Sequence, residues 1–155
     1  MAPVPPDGLL HPNLFLAVGN PALWIGLMRL VGEERPAVRS RNSNLRQLLV
    51  SDDMPAIVAE RYLRQMQGES RQALLEAHFP RTWCSAAALG IPALAVGAER
   101  DPMIPRAAVA RAAWFHAAEL NWIPEVAHAL MLDLKWCDAA DVLLRWITRK
   151  FGARS

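Results

Sequence analysis

The alternation of apolar runs and helix patterns between residues 91 and 150 restricts the fold more than any other feature. The run "IPALAVG", residues 91–97, is short, apolar and ends in glycine, as is typical of a strand covered on both faces of a parallel sheet. A helix pattern over about 105–117, a second strand over about 119–123 and a closing helix over about 138–150 follow. This order predicts a β-α-β-α unit with parallel strands, and therefore an α/β fold.

The first half of the chain is predicted to be helical. Asn20 followed by Pro21 is typical of a helix start, where asparagine caps the helix and proline takes the first helical position. The helix that follows ends at Gly32 and has a wide apolar face, made of Leu23, Trp24, Leu27, Met28 and Val31.

Two more helices are predicted before the first strand. Pro55 begins one of them and Gly68 ends it, with an apolar face of Ile57, Val58, Tyr62 and Met66. The other is short and runs from about Arg71 to Ala77. In the closing helix, the predicted buried face consists of Val142, Leu143, Trp146 and Ile147.

Size and composition exclude several classes of protein. A chain of 155 residues with 53% hydrophobic and 21% charged residues is expected to fold as one core-rich domain. The net charge of +2 is small, and no stripe of Lys and Arg alternates with aromatic residues. We therefore expect no nucleic-acid partner.

The sequence favours a cytoplasmic protein without a membrane span. The N-terminal "MAPVPPDGLL" lacks a basic segment followed by an apolar one, so no secretory signal is expected. The apolar stretch Leu14 to Val31 is interrupted by Asn20 and Pro21 and contains Arg29, which favours two short helices over a spanning one. Cys84 and Cys137 lack metal-ligand spacing and are predicted to be buried thiols, as suits a reducing compartment.

Asp101 and His128 follow the two predicted strands at the same edge of the sheet, where ligands bind in open α/β sheets. An aspartate that accepts a hydrogen bond from one imidazole nitrogen leaves the other nitrogen facing a nucleophile, as acyl transfer requires. Each residue taken singly also fits an ordinary turn or loop. Glu99, two residues before Asp101, is a minor alternative as the acid that pairs with His128.

The remaining histidines and tryptophans are given no catalytic role. His11, His78 and His116 lack metal-ligand spacing, and no metal site is expected. The six tryptophans are typical of a core. Trp24 and Met28 are also candidates to line a substrate pocket, although burial in the core is the stronger interpretation.

Three stretches resemble the C-terminal part of the α/β-hydrolases: "IPALAVGAERDPMIP", "IPEVAHALMLDLKWCDAADVLLRWI" and "LLVSDDMPAIVAERYLRQMQGESRQALLE". The resemblance implies that residues 1–11 leave a core strand, 12–85 form a helical cap, and 86–155 form the C-terminal core. It also implies that Asp101 is the acid and His128 the base of a Ser-Asp-His triad. Neither a cofactor nor a metal is implied, and the substrate is a small ester or another apolar molecule, bound in part by the cap.

The nucleophile elbow of that family, Gly-x-Ser-x-Gly, is absent, because none of the serines has these flanks: Ser40, Ser43, Ser51, Ser70, Ser85 and Ser155. No HGGG-type loop for an oxyanion is found either. In the family both features lie upstream, so we expect a truncated esterase- or lipase-like hydrolase that is inactive alone.

Two alternatives remain open. One is a relative with an aspartate nucleophile, as in dehalogenases and epoxide hydrolases. The other is a noncatalytic module that associates with itself or with a partner through an open sheet edge.

Overall fold

A computed structural model describes the fold of residues 5–32, 43–66, 71–80 and 84–152. The first half contains five helices among these residues: α1 Leu10–Gly19, α2 Pro21–Gly32, α3 Ser43–Leu49, α4 Ala56–Gln65 and α5 Arg71–His78. The second half contains two strands that alternate with two helices: β1 Leu94–Ala98, α6 Arg106–Phe115, β2 Glu119–Ile123 and α7 Trp136–Phe151. The predicted β-α-β-α order is confirmed.

The two strands pair in parallel, with Leu94 opposite Glu119 and Ala98 opposite Ile123. The prediction of an α/β class is therefore confirmed at this level. The first strand begins three residues later than predicted, because the N–H of Ile91 donates to Ala86 O at 2.9 Å and closes a turn. The next residue, Pro92, has no N–H with which to join a sheet.

The junction between α1 and α2 follows the predicted Asn20-Pro21 signal. Asn20 ends α1 by donating its N–H to Leu16 O at 2.8 Å. Its side-chain Oδ1 accepts the N–H of Leu23 at 3.2 Å and so caps α2. Among the described helices, none combines the length and the apolar character needed to cross a membrane.

The largest core cluster joins the helical half to the loops of the strand half. Met103, just after Asp101, and Leu132, just after His128, pack partly buried against this cluster. Its buried members are Leu16, Leu23, Leu45, Leu48, Leu49, Val50, Met54, Ala59, Leu63 and Ala129. Through these contacts the helices lie against the strand ends that carry Asp101 and His128.

The predicted apolar face of α4 is partly wrong. Ala59 and Leu63 are the buried residues of α4, whereas Ile57 is exposed and Val58, Tyr62 and Met66 are partly buried. Residues four apart lie on one side of a helix, so turning Ala59 and Leu63 inward leaves Ile57 outside. The helix ends at Gln65, and Gly68 lies outside the described residues.

The predicted buried face of α7 is wrong in two of its four residues. Trp146 is buried and Val142 is partly buried, but Leu143 is 48% and Ile147 42% exposed. A second cluster, made of Ala98, Ile123, Val126 and Leu130, contacts α7 through Ala139 and Val142. The apolar arc of α7 is therefore wider than the surface that the two strands cover.

The prediction that both cysteines are buried thiols is wrong, because Cys84 and Cys137 are free and exposed. Cys137 lies seven residues before Leu144, which is also exposed. Seven residues are about two helical turns, so both belong to the uncovered side of α7. The general preference of cysteine for the interior does not hold here, because part of this helix surface is uncovered.

Candidate active site

Backbone hydrogen bonds hold the loops after β1 and β2 together beyond the strand ends. The N–H of Glu99 donates to Ile123 O at 3.0 Å, and the N–H of Arg100 donates to Val126 O at 3.0 Å. These bonds extend the parallel pairing past Ala98, the last residue of β1. The next residue on the first loop, Asp101, is thereby brought beside the second loop.

The carboxylate of Asp101 is oriented by its own loop. Its Oδ1 accepts the backbone N–H groups of Met103, at 2.8 Å, and of Ile104, at 3.0 Å. This is the local turn that aspartate favours ahead of a helix. The turn occupies Oδ1 and leaves Oδ2 to face the second loop.

His128 completes the site from that second loop. Its Nδ1 lies 2.8 Å from Asp101 Oδ2, and the side chains are 27% exposed for His128 and 1% for Asp101. Because a carboxylate oxygen accepts hydrogen bonds, Nδ1 carries the ring proton and Nε2 of the neutral ring has a lone pair. Within the described ranges Nδ1 makes the only hydrogen bond of this ring. The predicted meeting of Asp101 and His128 is confirmed.

Exposed charged side chains form ion pairs between the loop after β1 and the loop after β2, and within the loop after β2. Glu125 has a φ of 59°, which is rare for a residue with a side chain and turns the chain just after β2. Its carboxylate contacts Arg100 at 3.4 Å and Lys135 at 2.5 Å. The hydrogen bond from Lys135, its charge and that of Arg100 lower the pKa of Glu125, and the same bond raises the pKa of Lys135. The exposed pair of Arg100 with Glu125 links the loop after β1 to the loop after β2, but pairs of this kind contribute little to the free energy of unfolding.

The alternative acid, Glu99, does not contact His128. Its Oε1 lies 3.1 Å from Nη1 of Arg106 in an exposed ion pair. The side chain thus leaves the turn in a different direction from that of Asp101. The carboxylate that contacts the His128 imidazole is therefore that of Asp101.

The other predicted residues have mainly structural surroundings. Trp24 packs partly buried against the helical core, whereas Met28 is exposed, so the pocket role of both stays a prediction. His116 Nδ1 accepts the N–H of Ala86 at 3.1 Å. In the part of the chain that the structure describes, no three His, Cys, Asp or Glu residues are placed to hold a metal ion.

Sequence reasoning missed Asp133, which is 2% exposed. Its Oδ2 accepts the N–H of Ser51 at 2.8 Å and its Oδ1 accepts the Ser51 hydroxyl at 2.9 Å. The available signal was a carboxylate within the apolar stretch "HALMLDL", five residues after His128. Ser51 lacks the flanks of a nucleophile elbow, and its hydroxyl donates to Asp133.

The site is thus a pair of side chains, in which a buried aspartate contacts a half-buried histidine at the carboxyl ends of two parallel strands. Comparison with known protein families, with curated proteins and with solved structures gave no match.

Proposed function

We propose that this chain supplies the aspartate and the histidine of a serine hydrolase of the α/β-hydrolase type that acts on carboxylic esters. The observation that carries the proposal is the 2.8 Å contact between Asp101 Oδ2 and His128 Nδ1. A carboxylate in this position holds the imidazole in one tautomer and stabilises the imidazolium that forms during acyl transfer. The acid-before-histidine order at one sheet edge also agrees with the family resemblance.

In the proposed mechanism, Nε2 of His128 takes the proton of an attacking serine hydroxyl. The resulting imidazolium, stabilised by Asp101, gives this proton to the departing alcohol and leaves an acyl-enzyme. The same histidine then deprotonates a water molecule, whose oxygen bonds to the acyl carbon. The bond between that carbon and the serine oxygen breaks, the imidazolium returns the proton to the serine oxygen, and the acid is released. The serine and the oxyanion donors come from polypeptide outside this sequence, because the sequence has no Gly-x-Ser-x-Gly.

The proposed substrate is an ester with an apolar acyl or ring portion. The residues that follow the pair along the two loops, Met103 and Leu132, are apolar and pack against the helical core. A carbon-rich group near these side chains would remove apolar surface from water. The helical half then acts as the cap over the site.

Labelling with a fluorophosphonate tests this proposal, because the probe reacts with an activated serine. We expect no labelling of the 155-residue chain and labelling of a longer polypeptide that includes the in-frame coding sequence 5′ to Met1. In that polypeptide His128→Ala should abolish labelling, whereas His11→Ala, at an exposed histidine, should preserve it. An extended polypeptide without a reactive serine, or strong labelling of the short chain, would contradict the proposal.

Self-association through the outer edge of β1 is a second candidate function. Ala93 O and Glu99 N are bonded to β2, so the odd-numbered residues of β1 direct their backbone groups to that strand. By alternation Leu94, Val96 and Ala98 direct theirs to the opposite edge. The sheet of the described residues has two strands, and an edge without a partner strand invites pairing with another chain.

Sedimentation velocity over a range of concentrations tests this second candidate. We expect the 155-residue chain to form dimers as its concentration rises, through pairing of β1 edges. Leu94→Pro should weaken the dimer, because it removes an edge N–H at the first strand residue, where proline is tolerated. Leu94→Ala, which keeps the N–H, is the matched control. A chain that stays monomeric at all concentrations would rule out association.

A further inference from the structure

Three hydrogen bonds connect residues 49–51 of the helical half with residues 129–133, directly after His128. Ala129 N–H donates to Leu49 O at 2.8 Å. The backbone N–H and the hydroxyl of Ser51 donate to the two carboxylate oxygens of Asp133, at 2.8 and 2.9 Å. The partners Ser51 and Asp133 are 82 residues apart in sequence. A distant part of the chain thus holds the segment next to His128.

The contact between Ser51 and Asp133 is buried, and each carboxylate oxygen of Asp133 accepts a hydrogen bond. Asp133 is 2% and Ser51 9% exposed, and among the described residues Ser51 supplies both hydrogen bonds to the Asp133 side chain. A buried carboxylate oxygen that loses its donor is costly. If the Ser51 hydroxyl is removed, the segment is therefore expected to shift so that Asp133 finds water.

The segment between Asp133 and His128 is too short to absorb such a shift. Asp133 N–H donates to Ala129 O at 3.2 Å, and Leu132 N–H donates to the same oxygen at 2.8 Å. Residues 129–133 therefore move as one turn, and Ala129 is bonded covalently to His128. A displacement of about 1 Å would take the 2.8 Å contact between Nδ1 and Asp101 beyond the range of a hydrogen bond.

We infer that Ser51 and Asp133 are positioning residues for His128: their buried contact sets the distance between the imidazole and Asp101. The inference deepens the proposed function, and its catalytic meaning rests on that proposal. The contact between Ser51 and Asp133 does not depend on a nucleophile, so its effect on the position of His128 can be tested on this chain alone.

The test follows the Nδ1 proton of His128 by NMR, with its signal assigned by its loss in His128→Gln. In Ser51→Ala we expect this proton to shift upfield and to exchange with water about tenfold faster, as for the loss of roughly one hydrogen bond. Ser51→Thr, which keeps a hydroxyl, should restore the signal. Asp133→Asn, which keeps the shape, should give a change in the same direction and serves if Ser51→Ala folds poorly.

Leu63→Ala is the matched control, because Leu63 is a buried member of the same core and the hydrogen bonds to the Asp133 side chain come from Ser51. It should lower the melting temperature and leave the His128 signal unchanged. If Ser51→Ala and Asp133→Asn lower the melting temperature without moving that signal, their role is only structural and the inference falls. If the ring signal responds while fluorophosphonate labelling of the extended polypeptide fails, the positioning role stands and the hydrolase proposal falls.

Discussion

Replacing Asp101 with asparagine is expected to move the ring proton of His128 from Nδ1 to Nε2. The Oδ1 position accepts two backbone N–H groups, from Met103 and Ile104, so the amide oxygen of asparagine must remain there. The amide nitrogen then faces Nδ1 and donates to it, and the ring has to present a lone pair at Nδ1. With Nε2 protonated, the histidine cannot act as a base, and a triad that depends on it should lose about 10⁴-fold in rate, as Ser-His-Asp proteases do.

The ¹⁵N chemical shifts of the His128 ring measure this change directly, because the protonated and unprotonated nitrogens resonate far apart. Glu99→Gln is the control: it alters an acid two residues away that pairs with Arg106, and the tautomer should be kept. If Asp101→Asn retains the Nδ1–H tautomer, the orientation of the carboxylate deduced from its backbone contacts is wrong.

Replacing Leu48 with alanine is expected to lower the free energy of unfolding by about 3 kcal/mol, the usual range for a fully buried leucine being roughly 2–5 kcal/mol. Leu48 is 0% exposed and lies in the cluster that also contains Ala129. The loss combines the apolar surface no longer buried with the cavity left behind. Because α3 packs next to the loop of His128, this core supports the site as well as the helical half.

Urea denaturation of the two matched variants Leu48→Ala and Leu14→Ala measures this effect. Leu14 lies on helix α1 and is 61% exposed, so its replacement should change the free energy of unfolding by less than about 0.5 kcal/mol. Both substitutions carry the same small change in helix propensity. An equal effect at the two positions would contradict the placement of Leu48 in the core.

Local patterns in the sequence were sufficient for the β-α-β-α order of the second half and for the main pair of the site, but they did not predict helix α3, Ser43–Leu49. Asn20 and Pro21 predicted the break between two helices, because capping depends on neighbouring backbone groups alone. Asp101 and His128 were found because each follows a strand, and parallel strands bring their carboxyl ends to one edge. Period, capping and strand order are short-range properties that can be read along the chain.

The tertiary structure alone decided which apolar surfaces are covered and which distant polar groups meet. The sequence marks Leu143, Ile147 and Cys137 as residues suited to an interior, but their exposure depends on how much surface the other elements offer to α7. Ser51 and Asp133 are 82 residues apart, and the sequence around either residue does not indicate that the two side chains will be in contact. Burial and long-range hydrogen bonds are properties of the packed molecule, because they depend on where all elements lie relative to one another.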